Sequence, residues 1–236
     1  MPATTPLPRP TPLPLPASHG FKTKLRGGGW IGFLVLLFVL AVTYCCGPRV
    51  GAPVVLLWAW WTGLPWRDLG FRRPKSWALV IVGGIVAGVA SKLLMKTVVM
   101  PLLGAPDLNP TYQWLVHNTA KLPGMLFTVV VFAGFCEEVI ARGFLFERLG
   151  RLIGTSRIAL AATILITSAL FGAAHYPDQH WMGVEQAFIL ALVDGLIFAI
   201  TRQLWFLIVM HAAFDIAATL IIYFGLETRF AHFFFH

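Results

Sequence analysis

The sequence predicts an all-α protein, a bundle of transmembrane helices, and three observations support this fold class. Of the 236 residues, 58% are hydrophobic and only 12% are charged, whereas soluble domains carry about 45–50% apolar and about 25% charged residues. Apolar runs recur that approach the roughly 20 residues needed to cross a bilayer. Basic residues gather between these runs, as in the loops of membrane proteins. This composition excludes an ordinary soluble enzyme, a collagen-like chain and a nucleic-acid-binding domain.

The chain divides into four parts by composition. Residues 1–28 form a Pro-rich, basic N-terminal tail, expected to be extended and disordered because alternating prolines prevent helix formation. Residues 29–122 hold N-terminal transmembrane helices and loops, residues 123–225 a second helical core, and residues 226–236 a C-terminal stub. About seven spans are expected, within a range of six to eight, near 30–46, 51–65, 77–100, 123–146, 157–175, 183–201 and 204–225.

The basic residues predict the orientation of the bundle. With seven spans, the N-terminal tail and the basic clusters at 67–75, 148–157 and 202 all fall on one side. Because cytoplasmic loops are enriched in Lys and Arg, the N-terminus is expected in the cytoplasm. The first apolar run, preceded by basic residues, is similar to a signal peptide. No small-residue cleavage site follows it, so we expect an uncleaved span.

Ionisable residues within apolar helices are the first candidates for function, since each costs at least about 2.5–3.5 kcal/mol to insert. The densest group is Glu137, Glu138 and Arg142. Glu138 and Arg142 are four residues apart and share a helix face, where they can pair. Glu137 points about 140° away from Arg142 and has no local cation. It is a candidate general base for water, although a buried ion network of all three residues explains the group equally well.

Further polar residues lie on two later helices. His175 ends the fifth predicted span, where a lone histidine is more often a cap or an interfacial residue. His211 and Asp215 are four residues apart and face one side of the seventh span. They either orient an imidazole, hold a metal, support an oxyanion or form a structural pair. With straight helices, Glu137 and His175 would lie at different depths, so either the fourth span starts deeper or residues 143–156 form a re-entrant helix.

The third predicted span contains two lysines and a pair of closely spaced glycines. Lys92 and Lys96 are four residues apart and either snorkel, pair with Asp194 or line a substrate entry; snorkelling or pairing is expected. Asp194 is accordingly expected to be a structural partner rather than a catalytic residue. The separation of Gly84 and Gly88 predicts close helix packing and does not by itself indicate dimerisation.

Three groups of polar residues, on the fourth, fifth and seventh predicted spans, resemble the motifs of the CPBP family in order and spacing. These are the CAAX-protease and bacteriocin-processing intramembrane proteases, also called the Abi family, and the similarity extends to type II CAAX prenyl endopeptidases. It covers about residues 123–220. The family patterns are EExxxR, FxxxH and HxxxN, the last with Asn or a related polar residue. They correspond here to Glu137-Glu138-xxx-Arg142, Phe171-xxx-His175 and His211-xxx-Asp215.

The resemblance implies an intramembrane endopeptidase that uses a glutamate-activated water. The residues it implies are Glu137 as the base, His175 as its assistant, His211 and Asp215 as supports of the tetrahedral intermediate, and Glu138 and Arg142 as structural supports. Asp215 departs from the family, which often has Asn there. An ionised Asp cannot donate a hydrogen bond to an oxyanion, so Asp215 is either protonated or orients His211.

Cofactor, partners and competing functions follow from the same residues. No cofactor is expected, since the chain lacks HExxH. Zinc is the alternative, because Glu137, His175 and His211 match a zinc-ligand set with one open position. The expected partners are the bilayer and a peptide or protein substrate, prenylated or not, and no nucleic acid. A non-catalytic membrane scaffold or immunity protein, and a transporter with a buried charge relay, are the competing functions.

Overall fold

The computed structural model describes residues 20–234, and all regular secondary structure in this part is helical, with no strand among these residues. The proline-rich residues 1–19 of the predicted tail lie outside it, while the next residues form a short helix rather than an extended segment. The helices are α1 Phe21–Arg26, α2 Trp30–Cys46, α3 Pro48–Thr62, α4 Trp77–Leu102, α5 Leu122–Ile153, α6 Arg157–Ala174, α7 Tyr176–Thr201, α8 Leu204–Tyr223 and α9 Glu227–Ala231.

Five helices of the described part, α4 to α8, are long and apolar enough to cross a membrane. At most 44% of the most apolar window of each is buried inside the bundle, which leaves more than half of it for lipid. Helix α2 is apolar but has 17 residues, and α3 has 15 with Pro53 inside it. The all-helical membrane bundle is therefore confirmed, whereas the expected count of about seven spans is not.

Helix α5 is longer than the sequence predicts. Its extra length removes the difference in membrane depth that was expected between Glu137 and His175. The predicted span ends at residue 146, but the helix continues unbroken to Ile153, 32 residues in all. At 1.5 Å per residue, Glu137 lies about 24 Å and His175 about 27 Å from the turn that joins α5 to α6. The two residues therefore reach the same level without a re-entrant segment over 143–156.

The backbone of α5 widens around the two glutamates. Its turns are π-helical over Thr128–Glu137 and again over Val139–Phe144. Such turns are rare and occur frequently at functional sites. The angular spacing of a regular 3.6-residue helix, which underlies the sequence prediction, therefore does not hold along the whole of α5.

Two glycines let α4 and α5 approach α8 closely. A Cβ on Gly88 of α4 would lie 2.1 Å from a backbone oxygen of α8, and a Cβ on Gly134 of α5 would lie 2.8 Å from the Cβ of Ala212. Only glycine permits backbone contacts this short. Gly134 is one turn before Glu137, and Ala212 follows His211, so this contact sets the separation of the two helices that carry these side chains.

Arg148 and Arg151 lie in the last turns of α5, not in the loop where the sequence places them. Arg148 is fully buried and donates to the carbonyls of Leu25 at 3.1 Å and Arg26 at 2.8 Å. Glu147 forms ion pairs with both arginines. These charges satisfy the carbonyls that end α1, so they anchor the N-terminal segment instead of forming a solvated loop.

Candidate active site

Glu138 is the centre of a buried ion network that joins α5, α7 and α8. Its Oε1 accepts a hydrogen bond from Arg142 Nη1 at 2.7 Å and from His211 Nδ1 at 2.8 Å. Arg142 also donates to Asp194 Oδ2 at 3.4 Å and lies over the ring of Phe171. The pairing of Glu138 with Arg142 agrees with their i,i+4 spacing. The network fixes the ring of His211 in one orientation.

Asp194 pairs with Arg142 and with neither lysine of α4, so that part of the lysine prediction is wrong. Lys96 instead reaches Glu227, 3.5 Å away. Lys92 lies over the ring of Phe214, 5.0 Å from its centroid. The reason is geometric: Asp194 belongs to the network around α5, whereas the lysines of α4 face the last helices of the chain.

Glu137 lies outside this hydrogen-bonded network. Its side chain keeps 22% of its surface exposed, while that of Glu138 is completely buried. The Oε2 atom of Glu137 has no hydrogen-bond partner among residues 20–234 and lies 4.0 Å from His211 Nε2. The two neighbouring carboxylates therefore have different environments. Glu138 is completely buried and its Oε1 accepts from two donors, although its Oε2 has no partner, whereas Glu137 is partly exposed and its free Oε2 lies beside an imidazole.

The His211 ring lies between two carboxylates. Its Nδ1 contacts Glu138, and its Nε2 lies 3.4 Å from Asp215 Oδ2. Asp215 is thus in contact with the ring nitrogen that also faces Glu137. The i,i+4 spacing of His211 and Asp215 along α8 accounts for their contact, and the carboxylate of Asp215 is in place to orient the ring.

His175 follows the last residue of α6 and keeps one ring nitrogen free. Its Nδ1 lies 2.8 Å from the backbone oxygen of Phe171. A carbonyl oxygen only accepts, so Nδ1 donates and Nε2 carries the lone pair of the neutral ring. The Phe171 ring lies 4.9 Å from His175 and 6.0 Å from His211, centroid to centroid. Both histidines are electrostatic neighbours of Glu137, so all three motifs meet in one region.

Tyr112 also belongs to this region, and the sequence analysis missed it. It lies in the loop between α4 and α5, and its hydroxyl accepts from Gln179 Nε2 at 3.3 Å. Burial, together with the nearby Asp215, Asp178 and Glu137, raises the pKa of the Tyr112 phenol. The hydroxyl therefore stays protonated and can donate. A single tyrosine in a loop has no periodicity that could have marked it in the sequence.

Glu227 of α9 holds the loop that carries Tyr112. The Glu227 carboxylate is buried and accepts from the backbone N–H of Asn109 at 2.9 Å and from Gln113 Nε2 at 2.7 Å. Lys96 supplies the neighbouring positive charge. Residues that follow the last long helix thus fix the loop over the candidate site.

The candidate zinc ligands do not form a ligand set in the described part of the chain. Among residues 20–234, no group of three or more His, Cys, Asp or Glu side chains is arranged to hold a metal ion. His211 Nδ1 is already bonded to Glu138, and its Nε2 is 4.0 Å from Glu137, whereas zinc bonds are about 2.0–2.2 Å long. The expectation of no cofactor, with zinc as the alternative, stays a prediction.

Comparison with known proteins adds one finding to this geometry. Residues 119–217 match the family described as Type II CAAX prenyl endopeptidase Rce1-like. The matched segment begins just before α5 and ends within α8, so it contains all three motifs. Neither curated proteins nor solved structures gave a match. The match over residues 119–217 supports an integral-membrane protease and confirms the resemblance to the CAAX-protease family read from the motifs.

Proposed function

We propose that this chain is an intramembrane endopeptidase in which Glu137 activates a water molecule for attack on a peptide carbonyl. The observation that carries the proposal is the free Oε2 of Glu137, next to the imidazole of His211 and within electrostatic reach of His175. A general base needs an acceptor that is not already bonded to a cation and lies near the proton it removes. Glu138 also has an unpartnered Oε2, but its Oε1 is bonded to two donors and its side chain is completely buried, so it is unsuited to that role.

The reaction proceeds without a covalent intermediate. Glu137 takes a proton from water while the water oxygen bonds to the scissile carbonyl carbon. The proton then passes to the amide nitrogen as the C–N bond breaks, which releases an amine and a carboxylic acid. His175, whose Nε2 is left free by the bond between its Nδ1 and Phe171, assists by holding the water or relaying the proton.

Two donors are available for the developing oxyanion. The first is Nε2–H of His211 in its doubly protonated form, since its Nδ1–H already donates to Glu138 and the carboxylate of Asp215 faces the other nitrogen. The second is the protonated hydroxyl of Tyr112. Because Asp215 lies 3.4 Å from His211 Nε2, we assign it the orienting role rather than direct contact with the oxyanion. Donors fixed in a water-poor site stabilise such charge strongly.

The family match also supports the kind of substrate. We propose a peptide or protein substrate within or at the surface of the bilayer, with prenylation as a feature to be tested. The N-terminus is proposed to be cytoplasmic, on the basis of the charge distribution alone.

The test is peptide cleavage by the purified full-length protein in lipid nanodiscs. Glu137→Gln is expected to lower kcat by about 100- to 10,000-fold, the usual contribution of a general base. Glu185→Gln, the same change at an exposed glutamate of α7, is the matched control and should leave kcat unchanged. Unchanged turnover in Glu137→Gln would refute the assigned base. Proton flux in liposomes that depends on Glu137, without cleavage of any peptide, would favour the transporter instead.

A further inference from the structure

Two arginines, Arg72 and Arg202, lie near each other at the end of the bundle where α7 turns into α8. Arg202 follows the last residue of α7, and Arg72 belongs to the connection between α3 and α4. A backbone hydrogen bond joins the two segments, since the N–H of Leu204 donates to the carbonyl of Gly70 at 3.0 Å. The fold therefore holds both guanidinium groups at one corner, where they are electrostatic neighbours.

Within residues 20–234, neither of these guanidinium groups forms an ion pair. Arg202 lies over the ring of the buried Phe198, 5.7 Å from its centroid, and Arg72 Nε donates to the carbonyl of Arg67 at 3.4 Å. Burial and the positive charge of Arg72 lower the pKa of the Arg202 guanidinium, although arginine stays charged in proteins. Two like charges are thus held close together, which is unfavourable until an anion joins them.

The acidic side chains at this end of the described chain are already used by other arginines. Asp68 lies 3.9 and 3.7 Å from two of them, and Glu147 forms ion pairs with two arginines of α5. No carboxylate among residues 20–234 is therefore left at this corner to neutralise Arg72 and Arg202. An anion that compensates them has to come from outside this part of the chain.

The backbone of Arg202 is a second, independent indication that its side chain has a function. Its φ of 51° lies in the left-handed region, where the residue that ends a helix is usually glycine. A cation near a helix C-terminus gains from the helix dipole, but an arginine in place of Thr201 would gain the same without a strained backbone. A strained residue that is not glycine often marks a functional position, so the guanidinium itself accounts best for an arginine here.

Aromatic side chains from the same two segments form a cluster at this corner. The ring of Trp205 lies 5.2 Å from that of Phe71 and 5.8 Å from that of Trp77, and Trp66 lies 6.2 Å from Phe71. Trp66 and Trp77 are exposed. Tryptophans at the ends of membrane spans lie at the level of the lipid headgroups. The neighbouring arginines are therefore expected at the depth of the lipid phosphates.

We propose that Arg72 and Arg202 bind the phosphate of an anionic phospholipid of the phosphatidylglycerol type. A phosphodiester carries one negative charge and offers oxygens to which guanidinium groups donate paired hydrogen bonds. Phosphatidylcholine is the poorer ligand, because its headgroup brings a cation of its own that the two arginines repel. Free phosphate has the same binding chemistry, but only a lipid also places its glycerol and acyl chains against the exposed tryptophans.

The first experiment measures lipid binding to the full-length protein in a mild detergent by native mass spectrometry, without any turnover. Dioctanoyl-phosphatidylglycerol is expected to bind at least about tenfold more tightly than dioctanoyl-phosphatidylcholine. Arg72→Gln and Arg202→Gln should each lower this ratio to about threefold or less. Arg157→Gln, the same change at an exposed arginine of the same end, should leave it unchanged. Equal binding of the two lipids to the wild type, or an equal loss in Arg157→Gln, would overturn the site.

The second experiment separates loss of the guanidinium from loss of folding. Glycine suits the positive φ of position 202, so Arg202→Gly should unfold no more readily than the wild type while the preference for phosphatidylglycerol disappears. A preference that persists in Arg202→Gly would refute the role of Arg202. Inorganic phosphate is the remaining probe: Arg202-dependent binding of phosphate, without a difference between the two lipids, would assign the corner to a free anion and overturn the lipid assignment.

Discussion

The two adjacent glutamates of α5 should respond differently to the same Glu→Gln substitution. In Glu138→Gln, Arg142 and His211 both lose the charged oxygen that they contact at 2.7 and 2.8 Å. Breaking a buried ion pair by removing one partner costs about 3–5 kcal/mol. Because Arg142 keeps Asp194 at 3.4 Å, we expect the lower end, a loss of about 3 kcal/mol in the free energy of unfolding.

Glu137→Gln removes a carboxylate whose Oε2 has no hydrogen-bond partner among the described residues. Its closest cationic group, His211 Nε2, is 4.0 Å away, so the free energy of unfolding should change by no more than about 0.5 kcal/mol. Both variants can be compared by unfolding in mixed micelles of rising denaturing-detergent content, followed by circular dichroism. An equal loss of stability in the two variants would show that Glu137 is part of the buried network, and the argument for a free base would fail.

Three further predictions follow from the packing and the site. Gly88→Ala should destabilise the bundle by about 1–3 kcal/mol because the new methyl meets a backbone oxygen of α8; in the same unfolding assay Gly83→Ala, whose nearest neighbour is 3.4 Å away, should have little effect. Tyr112→Phe should lower kcat by about tenfold or more, as loss of an oxyanion donor does, with unchanged unfolding; equal kcat would exclude that donor. Cleavage should survive exhaustive chelation, and a loss that added zinc restores would contradict the metal-free mechanism.

Contacts within one helix were predictable from spacing, and contacts between helices were not. The pairs Glu138 with Arg142 and His211 with Asp215 follow from the i,i+4 relation. The contact between Glu138 and His211 joins residues 73 positions apart and depends on how closely α5 approaches α8. Gly134 permits that approach, but its role is visible only once Ala212 is known to face it.

The errors at the ends of helices have a common physical cause. The sequence places Arg148 between two spans because an arginine is costly in lipid when alone, and the same cost applies to its neighbour Glu147. In the fold they neutralise each other, and Arg148 also bonds the carbonyls that end α1. Similarly, Lys96 finds its partner Glu227 at a separation of 131 residues. Long-range compensation of this kind leaves no local pattern, so the sequence suggests a loop in one case and the wrong partner in the other.

The Glu227 carboxylate ties together two stretches of chain that lie on opposite sides of the matched family segment. One stretch precedes α5 and carries Tyr112, and the other follows the last long helix. A truncation after Tyr223, or a bulky fusion that displaces α9, would leave every motif residue in place. It would nevertheless remove the hydrogen bonds from Glu227 that hold the loop carrying Tyr112 over the site. Purification tags belong at the opposite terminus, and an inactive preparation with a shortened carboxyl end says nothing about the chemistry of Glu137.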